Sequence, residues 1–403
     1  MFEPAYRDRK AGRIRIGFIP LVDCAPLVVA HEKGFAAAEG LTLDLIRETS
    51  WANIRDRLIV GHFDAAHMLA GLPLAATLGL NGLTVPMAAP LALGRGGNAV
   101  TVSQALYAAL EDAAGADPAR DPIKAGHALA KVVQIRKKQG QTPFVLGIVY
   151  PFSSHNYELR YWLAASGVNP DHDVRLVVVP PPFLPAALEA GHVDGFCVGE
   201  PWNSVAVAKA DARILLTKAD IWAGAPEKVL GFRADWVDAN GDETTALLRS
   251  VQAASLWAGD PANRAELAAL LARSDYLDQD DGLIAQGLEG RLPLKLGGEA
   301  SRIEGFLAFG GPSVSFPWVS QALWLYSQMV RWGQTVDTPA ARAKVASCFR
   351  PDLFRLALKD AGFGPVPDAD KRIEGAAVPE HGIAAIFDGI AFDPEALDAY
   401  LAG

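Results

Sequence analysis

Short apolar runs and helix-spaced stretches alternate through the first half of the chain. Residues 14–20 form an apolar run that reads as a strand, and Pro26 opens a helical stretch ending near Gly40. Proline in the first turn and glycine just past the last is the usual asymmetry of a helix's two ends. Leu41, Leu43 and Leu45 alternate with Thr42 and Asp44, the period of two that marks a strand. Helix is then predicted over 51–62, strand over 64–68, helix over 69–78 and strand over 85–93. Such alternation predicts a parallel sheet covered by helices on both faces. A polar, alanine-rich helical stretch over 111–142, ending in the basic run 136–138, leads into a second series. Its strands fall at 144–149, 174–179 and 195–198, its helices at 155–166, 185–190 and 201–209. Beyond Val229 the pattern changes to long helices at 243–258, 264–272 and the aromatic-rich 318–332. The pattern predicts an α/β clamshell of two lobes with a helical C-terminal extension. Lobe I comprises residues 1–98 and 229–403, and lobe II residues 99–228. A ligand is expected between them, at the carboxyl ends of the strands.

Composition narrows the function. Of 403 residues, 50% are hydrophobic and 21% charged, which excludes a disordered chain. Three cysteines cannot build a disulfide framework, so Cys24, Cys197 and Cys348 are expected as free thiols. Lys and Arg total 37 against 46 Asp and Glu, a formal charge of -9. No basic stripe is visible to displace counterions from nucleic acid, so direct nucleic-acid binding is not expected. No stretch approaches the roughly 18 apolar residues of a membrane helix. The charged opening segment runs to Arg15 and straight into the first strand, without the apolar region of a secretory signal. A cytoplasmic location is expected.

Three helix starts follow strand ends: Pro26, Ser153-Ser154-His155 and Pro201. Leading N–H groups there lack intrahelical acceptors and carry the positive end of the helix dipole, so a small anion suits them. Every α/β protein has such ends, and it is their company that matters. His155 either donates a ring N–H into the cleft or is a satisfied histidine. Trp51, after Ser50, either packs or offers its single indole N–H. Lys228, in APEKVLGF, is either a solvated lysine or a cleft cation. Residues 94–99, GRGGNA, fit a dinucleotide fingerprint, but 100–102 continue as strand, which excludes it. A hinge with Asn98 turned into the cleft suits the glycines better. Cys24, just ahead of a helix, is either a nucleophile or a small buried thiol. With no CxxC or HxH spacing, no metal site is expected.

The segments IGFIPLVDCAPLVVAHEKGF, ETSWANIRDRLIVG, SSHNYELRYWLAASG, GFCVGEPWNS, APEKVLGFRADW, MVRWG and IFDGIAFDPEALDAYL occur in that order. Together they resemble the nitrate and bicarbonate solute-binding proteins of cyanobacterial ABC transporters, the NrtA and CmpA family. The resemblance runs from about Ile14 to the C-terminus. It implies a type II periplasmic-binding-protein-like clamshell and no enzymatic activity. It also implies an anion site of Trp51, His155 and Lys228, with Asn98 where transporter members carry glutamine and Pro181 and Val198 as wall positions. Bicarbonate members carry an acidic residue at the lysine position and recruit calcium. Lys228 therefore implies nitrate or nitrite, with no metal and no cofactor.

Transporter members are exported and tethered, whereas the charged opening segment leads to the expectation that this protein has no leader. The resemblance therefore extends to the family's leaderless sensors, the NasS type, which hold an RNA-binding antiterminator inactive until nitrate arrives. It implies a NasT-like ANTAR antiterminator as partner, with no direct nucleic-acid or membrane contact. The alternatives are a transport binding protein, or an enzyme of similar fold resembling the cysteine-dependent desulfinases, with Cys24 as nucleophile and His155 as its partner.

Overall fold

The computed structural model describes residues 12–80, 82–359, 361–375 and 385–402. The opening residues 1–11, on which the expectation of a missing leader rests, lie outside them. Lobe I contains β1 (Arg13–Phe18), β2 (Thr42–Arg47), β3 (Ala65–Leu69) and β4 (Met87–Ala92). Lobe II contains β5 (Asn98–Val102), β6 (Phe144–Ile148), β7 (Val174–Val178), β8 (Gly195–Gly199) and β9 (Arg213–Thr217). The chain then returns through a short helix, Lys218–Trp222, and completes the first sheet with β10 (Lys228–Arg233).

The sheet orders are β2-β1-β3-β10-β4 and β9-β5-β8-β6-β7. The expected parallel pairing holds for β1 with β2 and β3, and for β6 with β7 and β8. One strand in each sheet departs from it: β10 runs antiparallel to β3 and β4, and β5 antiparallel to β8 and β9. The cause is the crossover. Parallel strands point their carboxyl ends at the cleft, and a strand arriving from the opposite lobe must start there. Register shows the result. Asn98, the first residue of β5, pairs with Gly199, the last of β8. Lys228, the first of β10, pairs with Leu69, the last of β3. Both crossovers thus deliver a polar side chain to the mouth of the cleft.

Local chemistry sets the helix starts. Ser50 Oγ accepts from Asn53 N at 3.2 Å and Ser153 Oγ from Asn156 N at 3.0 Å, capping the helices Trp51–Ile59 and Ser154–Ala165. The stretch expected as one helix from Pro26 to Gly40 is two, Ala25–Glu32 and Phe35–Ala38, divided by Gly34 at a φ of 76°. All five β3 residues are buried, as a central strand covered on both faces requires.

The lobes are closed on one another. Val22 N donates to Glu200 O at 2.8 Å, Trp202 Nε1 to Pro20 O at 3.0 Å, and Arg55 to the Tyr150 hydroxyl. In the C-terminal extension, the helix Val319–Arg331 packs against Gly71–Leu78 of lobe I and Ser154–Ala165 of lobe II. A hairpin, Arg291–Pro293 with Ala300–Arg302, covers lobe II through Ile214 N to Leu294 O at 3.0 Å. Among the described residues, no helix is long and apolar enough to cross a membrane.

The first crossover needs its glycines. Gly96 and Gly97 have φ of 76° and 87°, and Gly97 N donates to Phe306 O at 2.6 Å. A Cβ on Gly96 would stand 2.0 Å from that same oxygen. Gly96→Ala combines left-handed strain with a backbone clash, and is expected to cost about 2–4 kcal/mol in urea unfolding. Gly115→Ala, equally left-handed at a φ of 70° but facing open space, is the control, with an expected cost of about 1 kcal/mol.

Candidate functional site

The cleft is centred on two adjacent residues of the second crossover. Lys228 Nζ lies 2.9 Å from Asp23 Oδ2 of lobe I and is also paired with Glu227 Oε1. The other Glu227 oxygen accepts from Ser154 Oγ at 2.9 Å, from the Asn98 amide and from Lys218 Nζ. Lys218 Nζ in turn lies 3.0 Å from Glu158 Oε1 and donates to Pro226 O at 2.8 Å. On the lobe I side, His67 Nε2 is 3.0 Å from Asp23 Oδ1, and its Nδ1 accepts from Ile19 N at 3.4 Å. His67 therefore carries its proton on Nε2, toward Asp23. These side chains are all buried.

Such a cluster survives burial only if its charges compensate. Burial opposes ionisation of Asp23, but Lys228 and His67 outweigh it and hold the carboxyl below its usual range. Burial likewise raises the Glu227 carboxyl, while His155, Lys218 and Lys228 more than reverse it, the lysines being the charged pair near neutrality. Lys218 and Lys228 stay charged because their carboxylate neighbours overcome desolvation. His155 is different. Desolvation pushes its pKa down to about 3, so the ring is neutral throughout the physiological range.

Four of the residues expected from sequence meet here. Trp51 packs edge-on to His67 at 5.4 Å between ring centroids, with Lys228 Nζ 5.5 Å from its own. Its Nε1 has no hydrogen-bond partner, and neither has either ring nitrogen of His155, whose Nε2 stands 3.6 Å from Glu227 Oε1. Asn98 Nδ2 donates to Glu227 Oε2, and its Oδ1 is left unpaired. Of its two expected roles, Lys228 is a cleft cation and not a solvated lysine, engaged by two carboxylates. Pro181 and Val198 are buried, in a 3₁₀ turn after β7 and in the lobe II core respectively, and no polar contact ties them to the cluster. Gly199, beside Val198, makes the closer approach: a Cβ there would lie 3.1 Å from Asn98 Oδ1 and 3.8 Å from Asp23 Oδ2.

Sequence reasoning passed over Asp23, Glu158, Lys218 and Glu227. Two carried a legible signal: Asp23 interrupts an apolar strand-to-helix junction, and Glu227 adjoins Lys228 at the chain's return to lobe I. Cys24 is fully buried in the lobe I core, where burial and the Asp23 charge push its thiol pKa up. A nucleophile needs the opposite. Among the described residues, no group of three or more His, Cys, Asp or Glu is arranged to hold a metal ion.

A cleft of buried, unpartnered N–H groups beside a lysine is the geometry of an anion receptor. A profile of the NMT1-like family matches residues 8–272, and the chain belongs to that family, in its branch of NrtA-like solute-binding proteins. The nitrate/nitrite binding protein NrtA of Synechococcus elongatus is 34% identical over 399 residues, 97% of this chain and 85% of that one. The crystal structure of the periplasmic nitrate-binding protein NrtA from Synechocystis PCC 6803 superposes with a TM-score of 0.86 over 98% of both chains, at 30% identity. The nitrate import ATP-binding protein NrtC of Synechocystis is 38% identical over 94% of this chain but 53% of its own length. The chain thus spans about half of that relative. At the level of the family, the NrtA relatives are solute-binding proteins and not enzymes.

Lys228→Met leaves Asp23 and Glu227 buried without their shared cation, and is expected to cost about 3–5 kcal/mol in chemical denaturation. Adding Asp23→Asn removes one stranded charge, so the double variant should be more stable than Lys228→Met alone. A strictly additive cycle would show that the two side chains are uncoupled.

Proposed function

We propose that the chain binds nitrate or nitrite between its lobes and acts as a cytoplasmic sensor. Empty, it holds a NasT-like RNA-binding antiterminator, and the anion releases that partner. The observation that carries the ligand is the pair of orphaned donors, Trp51 Nε1 and the neutral His155 ring, buried beside Lys228. An unpaired buried N–H costs about 1–3 kcal/mol, and a small planar oxyanion supplies the missing acceptors. Its own charge requires a nearby cation, which Lys228 provides by shifting part of its hydrogen bonding from Glu227 to the ligand. The names of the NrtA relatives support the same anion.

The sensor output rests on the clamshell itself. Trp51 and Asp23 belong to lobe I, and Ser154 and His155 to lobe II. An anion held by both must favour the closed over the open form, and a partner that prefers the open form is released. Delivery of the anion to a transporter is the second reading, favoured by the NrtC relative, whose name is that of an import component.

Two experiments test this. Trp51→Phe keeps the ring but deletes the indole N–H; calorimetry should show nitrate affinity reduced about tenfold, near 1.4 kcal/mol, with the fold retained. Unchanged affinity would remove Trp51 from the anion's contacts. Purified protein mixed with a NasT-like antiterminator should co-elute without nitrate and separate with millimolar nitrate. A complex that never forms, or that ignores nitrate, sinks the sensor and favours transport.

A further inference from the structure

The buried charges of the cleft do not balance once an anion is added. Lys218 and Lys228 supply two positive charges; Asp23, Glu227 and Glu158 supply three carboxylates, all buried. A nitrate ion would be the fourth negative charge against two cations. The neighbours cannot correct this: the His155 ring is neutral, and His67 is likewise held neutral by desolvation. Asp23 and Glu227 are each tied directly to Lys228. Asp23 also has the His67 N–H and Glu227 also has Ser154 and Asn98, whereas Glu158 has, among the described residues, Lys218 alone, at 3.0 Å, and that lysine is shared with Glu227.

We propose that Glu158 is the seat of a proton that enters with the anion, so that the site binds nitrate and a proton together. The inference rests on the anion-binding function proposed above. The proton is taken from solvent onto the Glu158 carboxyl, and no other bond forms or breaks. The groups around Glu158 agree. Lys218 faces it from the head of its helix, with Glu227 and Lys228 behind, and Cys197 of β8 faces it with a thiol that burial keeps protonated. His155, one turn earlier on the same helix, contributes no charge. Desolvation, opposed by Lys218, already raises Glu158 to about 7, so its proton is exchangeable near neutrality. An added anion a few ångströms away raises it further. The sign follows. Below about pH 6 Glu158 is already protonated and affinity is flat; above pH 7 each anion must bring a proton, and affinity falls by up to about tenfold per pH unit. Glu158 thereby sets the charge of the ligand the cleft accepts.

Calorimetric titration of the full chain with sodium nitrate, in buffers of different ionisation enthalpy, counts the protons. At pH 8 between about one half and one proton should be taken up per nitrate, and at pH 5.5 almost none. Glu158→Gln should abolish the uptake at pH 8 and flatten the affinity between pH 6 and 8.5. Glu158→Asp, which keeps a carboxyl, should retain uptake and serves if the glutamine variant does not fold. Binding at pH 8 without proton uptake overturns the inference. So does uptake undiminished in Glu158→Gln, which would place the proton on His155 or on Glu200, the other buried carboxyl raised to about 7. Nitrite and bicarbonate are titrated in parallel. Proton-linked binding of one of these but not nitrate would keep this inference and sink the nitrate reading; no binding by any would overturn both.

Discussion

Everything in the cleft depends on two neighbouring residues of opposite charge, Glu227 and Lys228, placed where the chain returns to lobe I. Lys228 reaches Asp23 in lobe I; Glu227 collects Ser154 and Lys218 from lobe II and Asn98 from the other crossover. Buried ions are tolerated only when each is compensated, so this pair couples lobe closure to charge pairing. Opening the lobes would part Glu227 from its lobe II partners Lys218 and Ser154, while Lys228 and Asp23, both on lobe I, would stay paired. Closing them restores the pairing but leaves two donors unmet. The closed form thus leaves hydrogen-bond donors unmet, and these are what a small anion would satisfy.

Topology makes the arrangement possible. Only a strand that arrives from the other lobe begins at the cleft, so each sheet carries one antiparallel strand with its first side chain in the site. Asn98 and Lys228 hold those two positions. The remaining groups come from helix starts fixed by serine caps, Trp51 after Ser50 and Ser154 and His155 after Ser153. The helix Val319–Arg331 packs on both lobes and the hairpin covers lobe II, so cleft geometry is set by distant parts of the chain and not by one loop.

Much of this was legible in the sequence. Hydrophobic periodicity located most strands and helices of both lobes, because period and capping are local properties. The antiparallel crossover strands were not legible, since strand direction depends on which lobe the chain enters from. Trp51, Asn98, His155 and Lys228 could be singled out because each adjoins an element boundary. Their electrostatic states could not. That burial holds the His155 ring neutral, and that Lys228 is paired with Asp23 more than 200 positions earlier, appears only in the fold. Glu158 sits within an ordinary helix, and Lys218 opens a helix that the sequence pattern did not reveal. Pairings between distant residues are what sequence alone hides.

The account stands on the anion occupying the space between Trp51, His155 and Lys228. A crystal structure of the protein grown with nitrate tests that directly. It should show a planar anion within hydrogen-bond distance, about 2.7–3.2 Å, of Trp51 Nε1, a ring nitrogen of His155 and Lys228 Nζ. An anion bound elsewhere, with Lys228 still paired to both carboxylates and the two donors still unmet, would contradict it.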